Sequence, residues 1–354
     1  MWAIAESGET FRLLSLFHPQ ARYPRVWSGD VVLLAPGPLP TVDYYLTPRL
    51  RELPAGAVRK YDSRVVNATP EQLPEGAFVI IVRHAAPAWL RLLARHRARW
   101  SGVALLMDDD LPNAWSCREL PLTYALWTSG RYWRSHRLLA AVCDRLWVSN
   151  TRLQARYADR GAQVVTPMEP YPLPPASPSG TRRWAYLGTR THQREIDWLL
   201  PVVAAVQARS ALFGFELFGD ARVARQFARV PRARVLPPRP WPEFVQYCRT
   251  TRLAVGVAPL LPGGFNALRS GVKLFDITRC GAAAVLSRVA PYAPELEEVA
   301  AALLPNDPDA WVTAISGLLN DDERRIAAHA RAAAWVAQAG RETDLLQMMR
   351  ERVG

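Results

Sequence analysis

The sequence predicts an α/β protein built from two parallel-sheet domains facing across a cleft, and three observations carry that prediction. Short apolar runs alternate with helix-length segments between residues 31 and 167. A proline-rich stretch, PYPLPPASPSGT, interrupts the alternation at 170–181. The alternation then restarts at residue 183. The expected plan is a first domain over 1–168, a linker over 169–182 and a second domain over 183–324, with terminal helices over 325–354 partly returning to the first domain. At 354 residues there is room for two domains of roughly 150 to 200 residues each.

In the first half, VVLLAP (31–36) reads as a buried strand stopped by proline, and TVDYYLTPRLREL (41–53) has helical spacing. AFVIIVRH (77–84) is a second buried strand, and PAWLRLLARHRARW starts a helix on proline. GVALLMDDD (102–110) is a strand running into three aspartates, and DRLWVSN (144–150) a fourth strand. TRLQARYADRG is a helix closed by glycine, and AQVVTP (162–167) a fifth strand.

In the second half, RWAYLGT (183–189), FELFGD (215–220), ARVLP (233–237) and LAVGVAPL (253–260) read as strands. EIDWLLPVVAAVQAR (195–209) and WPEFVQYCRTT (241–251) are helices between them. A helix–strand unit over 265–288, helices over 309–320 and 321–340, and a tail helix complete the chain. Open α/β sheets bind ligands beyond the carboxyl ends of their strands, so a cleft between two such domains is the expected site.

Composition narrows the function classes. The content is 49% hydrophobic and 21% charged, as in a folded globular protein. Runs such as FVIIV are far short of the ~18 apolar residues of a membrane span. The opening MWAIAESGETFRLLSLF lacks a basic segment followed by an apolar core, so no signal peptide is expected. Four dispersed cysteines without a CxxC argue for a reducing cytosol rather than disulfides or zinc. The net charge of +12, mostly from arginine, implies an anionic partner. Nucleic acid is not expected, because no helix-turn-helix, RNP or zinc-finger pattern occurs. RLLARHRARW (91–100) and RYWRSHR (131–137) interleave arginine with Trp, Leu and Tyr. They read either as a solvated helix face or as a surface resting on anionic lipid.

The stretch most suggestive of chemistry is FNALRSGVKLFDITRCGAAAVLSR, 265–288. Ser270 as helix cap would leave the amides of Gly271 and Val272 free for a phosphate, with Lys273 in reach. Asp276, one turn on, would accept hydrogen bonds from sugar hydroxyls. An ordinary helix with a Lys–Asp surface pair has the same spacing.

This stretch, with PYAPELEEVAAALLPNDPDAWVTAISGLLNDDERR (291–325), resembles the donor-nucleotide half of GT-B glycosyltransferases, most like the retaining family numbered four. YLGTRTHQREID (186–197) resembles the loop of that half that faces the donor phosphates, and MDDDL (107–111) is similar to an acidic segment of some members' acceptor half. The resemblance covers 183 to about 330, and the first half by topology only. It implies a GT-B fold and a hexosyltransferase-like enzyme, by family retaining. The donor would be a nucleotide-diphospho-sugar, used as co-substrate with no further cofactor and no bound metal. A glycan or lipid-linked acceptor of surface polysaccharide synthesis is implied, on the cytoplasmic side and peripheral to the plasma membrane.

The resemblance sets the donor phosphates against the first loop, with Gly188 and Thr189, and against the motif, with Phe265, Asn266, Ser270 and the backbone amides of Gly271 and Val272; it puts Asp276 on the ribose. The family's basic pair has no direct counterpart, and Lys273 and Arg269, with Arg190 or Arg194 from the loop, are the inferred substitutes. His192 in that loop is either a structural hydrogen-bonder or a ligand for phosphate or sugar. The family's first acid falls on Leu268, so this chain departs from the pattern at the group that contacts the donor sugar. His84, at the end of the second strand, is a candidate for that sugar. Asp108, Asp109 and Asp110 are candidates for acceptor positioning or general base, for helix capping, or for a metal. The alternatives to an active enzyme are a non-catalytic scaffold of the same fold and a basic nucleic-acid-binding protein.

Overall fold

The computed structural model describes residues 23–117, 120–188, 192–289, 291–292 and 295–351. Thr189 and Arg190 lie outside the described residues.

The first domain contains β1 (Val31–Ala35), α1 (Pro40–Tyr45), α2 (Thr47–Leu50), β2 (Val58–Asp62), β3 (Phe78–Val82) and α3 (Pro87–Arg95). It continues through β4 (Gly102–Met107), α4 (Leu122–Val142), β5 (Arg145–Val148), α5 (Thr151–Arg156) and β6 (Gln163–Val164). All six strands are parallel, in the order β2-β1-β3-β4-β5-β6. Val31 of β1 is in register with Phe78 of β3 on one side and Val58 of β2 on the other. The helix expected over 41–53 is two short ones, because Pro48 in the first turn of α2 has no N–H to continue α1.

The second domain contains β7 (Arg183–Tyr186), α6 (Gln193–Arg209), β8 (Gly214–Phe218), α7 (Ala221–Phe227), β9 (Ala233–Leu236) and α8 (Trp241–Thr250). Then come β10 (Val255–Ala258), α9 (Lys273–Arg279), β11 (Ala283–Ser287) and β12 (Ala302–Leu304), followed by α10 (Pro308–Asn320), α11 (Asp322–Gln338) and α12 (Leu345–Arg350). Its sheet is also all parallel, in the order β12-β11-β10-β7-β8-β9. Strands buried on both faces explain the near-continuous apolar runs.

One apolar cluster covers the outer face of the first sheet, through Trp89, Leu93, Trp100 and Leu139. Another packs α6 and α10 on the second sheet, through Leu199, Val203, Trp311 and Ile315. A third crosses the domain boundary, joining Tyr44 and Tyr45 of α1 to Leu274 and Phe275 of α9 and to Val336 and Met349 of the last two helices. Buried arginines fasten the same boundary. Arg49 donates to the Gly340 carbonyl at 2.6 Å and the Thr343 carbonyl at 3.1 Å, and Arg145 donates to the carbonyls of Met348 and Glu351. The proline-rich segment is held by Arg325, which donates to the carbonyls of Ser177 at 2.9 Å and Pro178 at 3.1 Å. At Gly281 (φ +70) an added Cβ would lie 2.9 Å from the Pro175 carbonyl, so only glycine lets the segment pass there.

Candidate functional site

A parallel sheet leaves a crevice where the strand order reverses, because the connections on its two sides lead to opposite faces. In the first sheet that point is between β1 and β3, and in the second between β10 and β7. A cavity of about 610 Å³ lies against both points. Its first-domain wall is the start of α1 (Pro40, Thr41, Tyr44, Tyr45), Arg83 after β3, and Asp108 and Asp109 after β4. Its second-domain wall includes Leu187 after β7, Phe218 of β8, Leu260 after β10, and Arg269, Ser270, Val272, Lys273 and Asp276 at α9.

The first-domain wall is organised by Arg83. Its φ of +64° is in the left-handed region, which is costly for a side chain with a Cβ and is tolerated where the surroundings fix it. Here Nε and Nη2 donate to the two carboxylate oxygens of Asp108 at 2.7 and 2.5 Å. Thr41 Oγ1 adds a third donor to Asp108 at 2.5 Å. Burial alone would raise the Asp108 pKa, but the Arg83 charge and these hydrogen bonds hold it below the usual carboxylate range.

Asp109 differs. Its nearest cations are Arg83 Nη2 at 3.9 Å and Arg269 Nε at 4.0 Å, the latter from the other domain. Burial, and then the charge of Asp108, push its carboxyl above the usual range. Asp110 turns away from the cavity: it accepts from Asn113 at 2.9 Å and Tyr157 at 2.5 Å and pairs with Arg156 at 2.9 Å. It anchors α5. His84 is not in the cavity wall either. Its Nε2 lies 3.2 Å from Arg131 of α4. Burial, then Arg131, lower its pKa to about 4, so the neutral ring accepts from the guanidinium.

The second-domain wall gathers cations. Lys273 Nζ donates to the Leu187 carbonyl at 2.7 Å and to Asp276 at 3.3 Å, and an ammonium has a third N–H to offer. Arg269 Nη1 lies 2.9 and 3.0 Å from the two ring nitrogens of His192. Burial, then Arg269 and Lys273, hold His192 well below its ordinary value, so it is neutral. Ser270 does not cap α9. The N-cap is Val272 with no side-chain cap, and the Ser270 hydroxyl bonds Tyr45 across the cleft instead.

Of the other motif residues, Asn266 is buried and donates to Glu195 at 3.0 Å and to the Leu261 carbonyl at 2.9 Å. It shapes the loop. Phe265 packs with Ala114, Leu120 and Ala125 of the first domain. Gly188 follows the cavity residue Leu187, and an added Cβ there would strike the Tyr186 ring at 2.2 Å. A Cβ added at Gly271 would meet the Tyr292 ring only at 4.0 Å, an ordinary contact. Leu268, where the resemblance would put an acid, packs on the first domain's apolar cluster, and its carbonyl accepts from Asn150 at 3.1 Å. The departure from the pattern serves the domain contact. Asp276, 2% exposed, accepts from Tyr44 OH at 2.5 Å as well as from Lys273.

The sequence reading missed the aromatic end of the cavity. Phe218, Trp241, Phe244, Pro238 and Arg239 line it, with Trp241 stacked on Phe244 at 5.6 Å between centroids. Trp241 Nε1 donates to Asp43 of α1 at 2.6 Å, which fixes the indole across the boundary. The segment RPWPEF carries the aromatics, but its helical spacing gave no sign that their ring faces meet a cleft. Thr41, Tyr44 and Tyr45 were missed for the same reason.

Two all-parallel sheets with a cleft at both switch points have counterparts among solved structures. WaaG, described as a glycosyltransferase involved in lipopolysaccharide biosynthesis, matches with a TM-score of 0.55 at 13% identity, over 90% of this chain and 97% of that one. The chain has the GT-B fold. The Anabaena protein HepE, solved with UDP and glucose, matches at 0.56 and 11% identity over 93% of this chain and 98% of that one. Staphylococcus aureus TarM, solved with UDP among its ligands, matches at 0.55 and 10% identity over 77% of this chain. The chain spans about half of TarM's length (54% is covered). No protein-family model and no curated protein matches the sequence. In GT-B terms, the cation-rich wall belongs to the C-terminal domain and the carboxylate wall to the N-terminal one.

Proposed function

We propose that the chain is a glycosyltransferase that moves a sugar from a nucleotide-diphospho-sugar to a glycan or lipid-linked acceptor in surface polysaccharide or glycoconjugate synthesis. The observation that carries the reading is the polarity of the cavity: Lys273 and Arg269 on one wall, Asp109 on the other, and an aromatic end beside them. A diphosphate fits the cations, a planar base fits Trp241 and Phe244, and the sugar then lies toward Asp109. WaaG, HepE and TarM, by their descriptions, support a sugar donor and a glycan-type acceptor.

In the proposed step the bond from the anomeric carbon to the diphosphate oxygen breaks, and its electron pair leaves with the diphosphate. Lys273 and Arg269 stabilise that charge in a cleft from which the domains exclude water. The acceptor hydroxyl oxygen bonds to the anomeric carbon. With retention, as the resemblance implies, its proton goes to the departing diphosphate while Asp109 orients the acceptor. NMR of the product's anomeric centre tests this, and inversion would assign Asp109 as the base instead. Ribose hydroxyls are proposed to bond Asp276 in place of Tyr44. No metal is required in this reading, so turnover should survive EDTA. We place the protein on the cytoplasmic face of a membrane. No helix among the described residues is long and apolar enough to cross one.

The direct test is thermal shift with UDP, GDP, ADP, CMP and dTDP and their sugars. A ligand at about 100 times its dissociation constant stabilises by about 2.7 kcal/mol. At least one should raise Tm by the corresponding amount; no shift with any of them would overturn the reading.

A further inference from the structure

α3 and α4 pack side by side on the first domain and contain Arg91, Arg95, Arg131, Arg134 and Arg137 but neither Asp nor Glu. Helical spacing places Leu122, Leu126, Trp127, Arg134 and Arg137 on one arc of α4, and all five are exposed. The first three are 67%, 54% and 56% exposed, which is unusual for a group of large apolar side chains. Arg131 lies over the Trp127 ring at 3.7 Å and beside neutral His84, so the indole is held at the surface by a cation. Partial burial, and then the like charges of Arg64 and Arg134, hold Arg131 below its ordinary value, which marks a cluster of positive charge. The same helix touches the cavity: Tyr124, two residues from Leu122, lines it.

We infer that this face of α4, with the arginines of α3, docks on an anionic lipid bilayer. Leu122, Leu126 and Trp127 enter the headgroup boundary, and Arg91, Arg95, Arg134 and Arg137 meet lipid phosphates. Charge complementarity selects this occupant: α3 and α4 carry five arginines and no carboxylate, and Asp62 beside them is taken up by Arg64 at 2.7 Å, so the face repels a second copy of itself. The cavity then opens, past Tyr124, at the surface where a lipid-linked acceptor resides. That last consequence rests on the glycosyltransferase reading, whereas the docking itself does not.

The test is flotation of the full chain with vesicles of phosphatidylcholine alone and of phosphatidylcholine mixed with phosphatidylglycerol. Binding is expected to the mixed vesicles only, weakening as salt rises. Each basic residue near such a surface contributes about fivefold in affinity, so Arg134→Gln with Arg137→Gln should weaken binding roughly 25-fold. Leu126→Ser with Trp127→Ser should also weaken it, about tenfold or more, while thermal midpoint and nucleoside-diphosphate binding stay at parent values. Equal binding to neutral vesicles, no binding to either, or unchanged binding by both variants would overturn the inference. So would self-association that the variants abolish without any vesicle binding. Nucleotide binding on the same samples reports separately on the donor reading.

Discussion

The two walls of the cavity are built by different means. On the C-terminal side a short motif supplies Arg269, Ser270, Lys273 and Asp276 within eight consecutive residues. On the N-terminal side Thr41 at the start of α1, Arg83 after β3 and Asp108 after β4 come from three separate parts of the chain and are locked together by hydrogen bonds. The first wall has cations with donors to spare; the second has a clamped carboxylate beside a less clamped one. A site that neutralises a leaving diphosphate needs the former, and a site that orients a hydroxyl needs the latter. Under the proposed function this contrast gives donor chemistry to one domain and acceptor chemistry to the other, and it can be broken at several points.

The largest effect is expected at Arg83. Removing one partner of a buried ion pair costs about 3 kcal/mol or more, so Arg83→Ala should lower the unfolding free energy from denaturant titration by that much. Arg83→Gly loses the same pair but relieves the left-handed backbone, and should be about 0.5 to 1 kcal/mol less destabilised. Equal midpoints would mean that the φ of +64° carries no strain.

A smaller loss is expected at the contact between the walls. Tyr44→Phe removes the hydrogen bond donated to Asp276 across the boundary and the one accepted from Arg279 at 3.0 Å, about 1 to 2 kcal/mol by calorimetry, while Lys273 still holds the carboxylate. Ribose recognition should persist or improve, since the phenol no longer competes for Asp276. Loss of nucleoside binding in this variant would remove Asp276 from the donor site.

Asp109→Asn should go the other way by a smaller margin. A carboxyl whose folded pKa is raised contributes stability that is present below its ordinary pKa and lost as pH rises through the folded one. At neutral pH Asp109 is therefore a cost, and the amide should raise stability by about 0.5 to 2 kcal/mol while turnover falls. The gain should vanish toward pH 4. A lower Tm at neutral pH would show that the cations 3.9 and 4.0 Å away outweigh burial.

The same contrast governs what could be read from sequence. The C-terminal wall was legible because its groups are close in the chain, and ten strand-like runs located β1, β3, β4, β5, β6, β7, β8, β9, β10 and β11. β2, VRKYD, escaped because it is a half-exposed edge strand with no apolar alternation, and β12 because it is three residues long. Of α4 only 131–137 was read, as a solvated helix face or a lipid-facing surface, because Gly130 and an exposed apolar face blur the periodicity of the rest. The N-terminal wall depends on tertiary contacts. Nothing in MDDDL shows that Asp108 meets Arg83, that Asp109 faces the cleft and that Asp110 turns to Tyr157. A backbone reversal at Arg83 has no sequence signature either.

The division of labour between the walls is tested most directly by titrating Lys273→Ala and Asp109→Asn with the same nucleoside diphosphate. Lys273→Ala removes one charge-assisted contact of about 1.5 to 3 kcal/mol, so affinity should fall roughly 10- to 150-fold. Asp109→Asn should bind as tightly as the parent or more so, because it removes a negative charge from the cavity. Equal losses in both variants, or a loss confined to Asp109→Asn, would contradict the assignment of the donor diphosphate to the C-terminal wall.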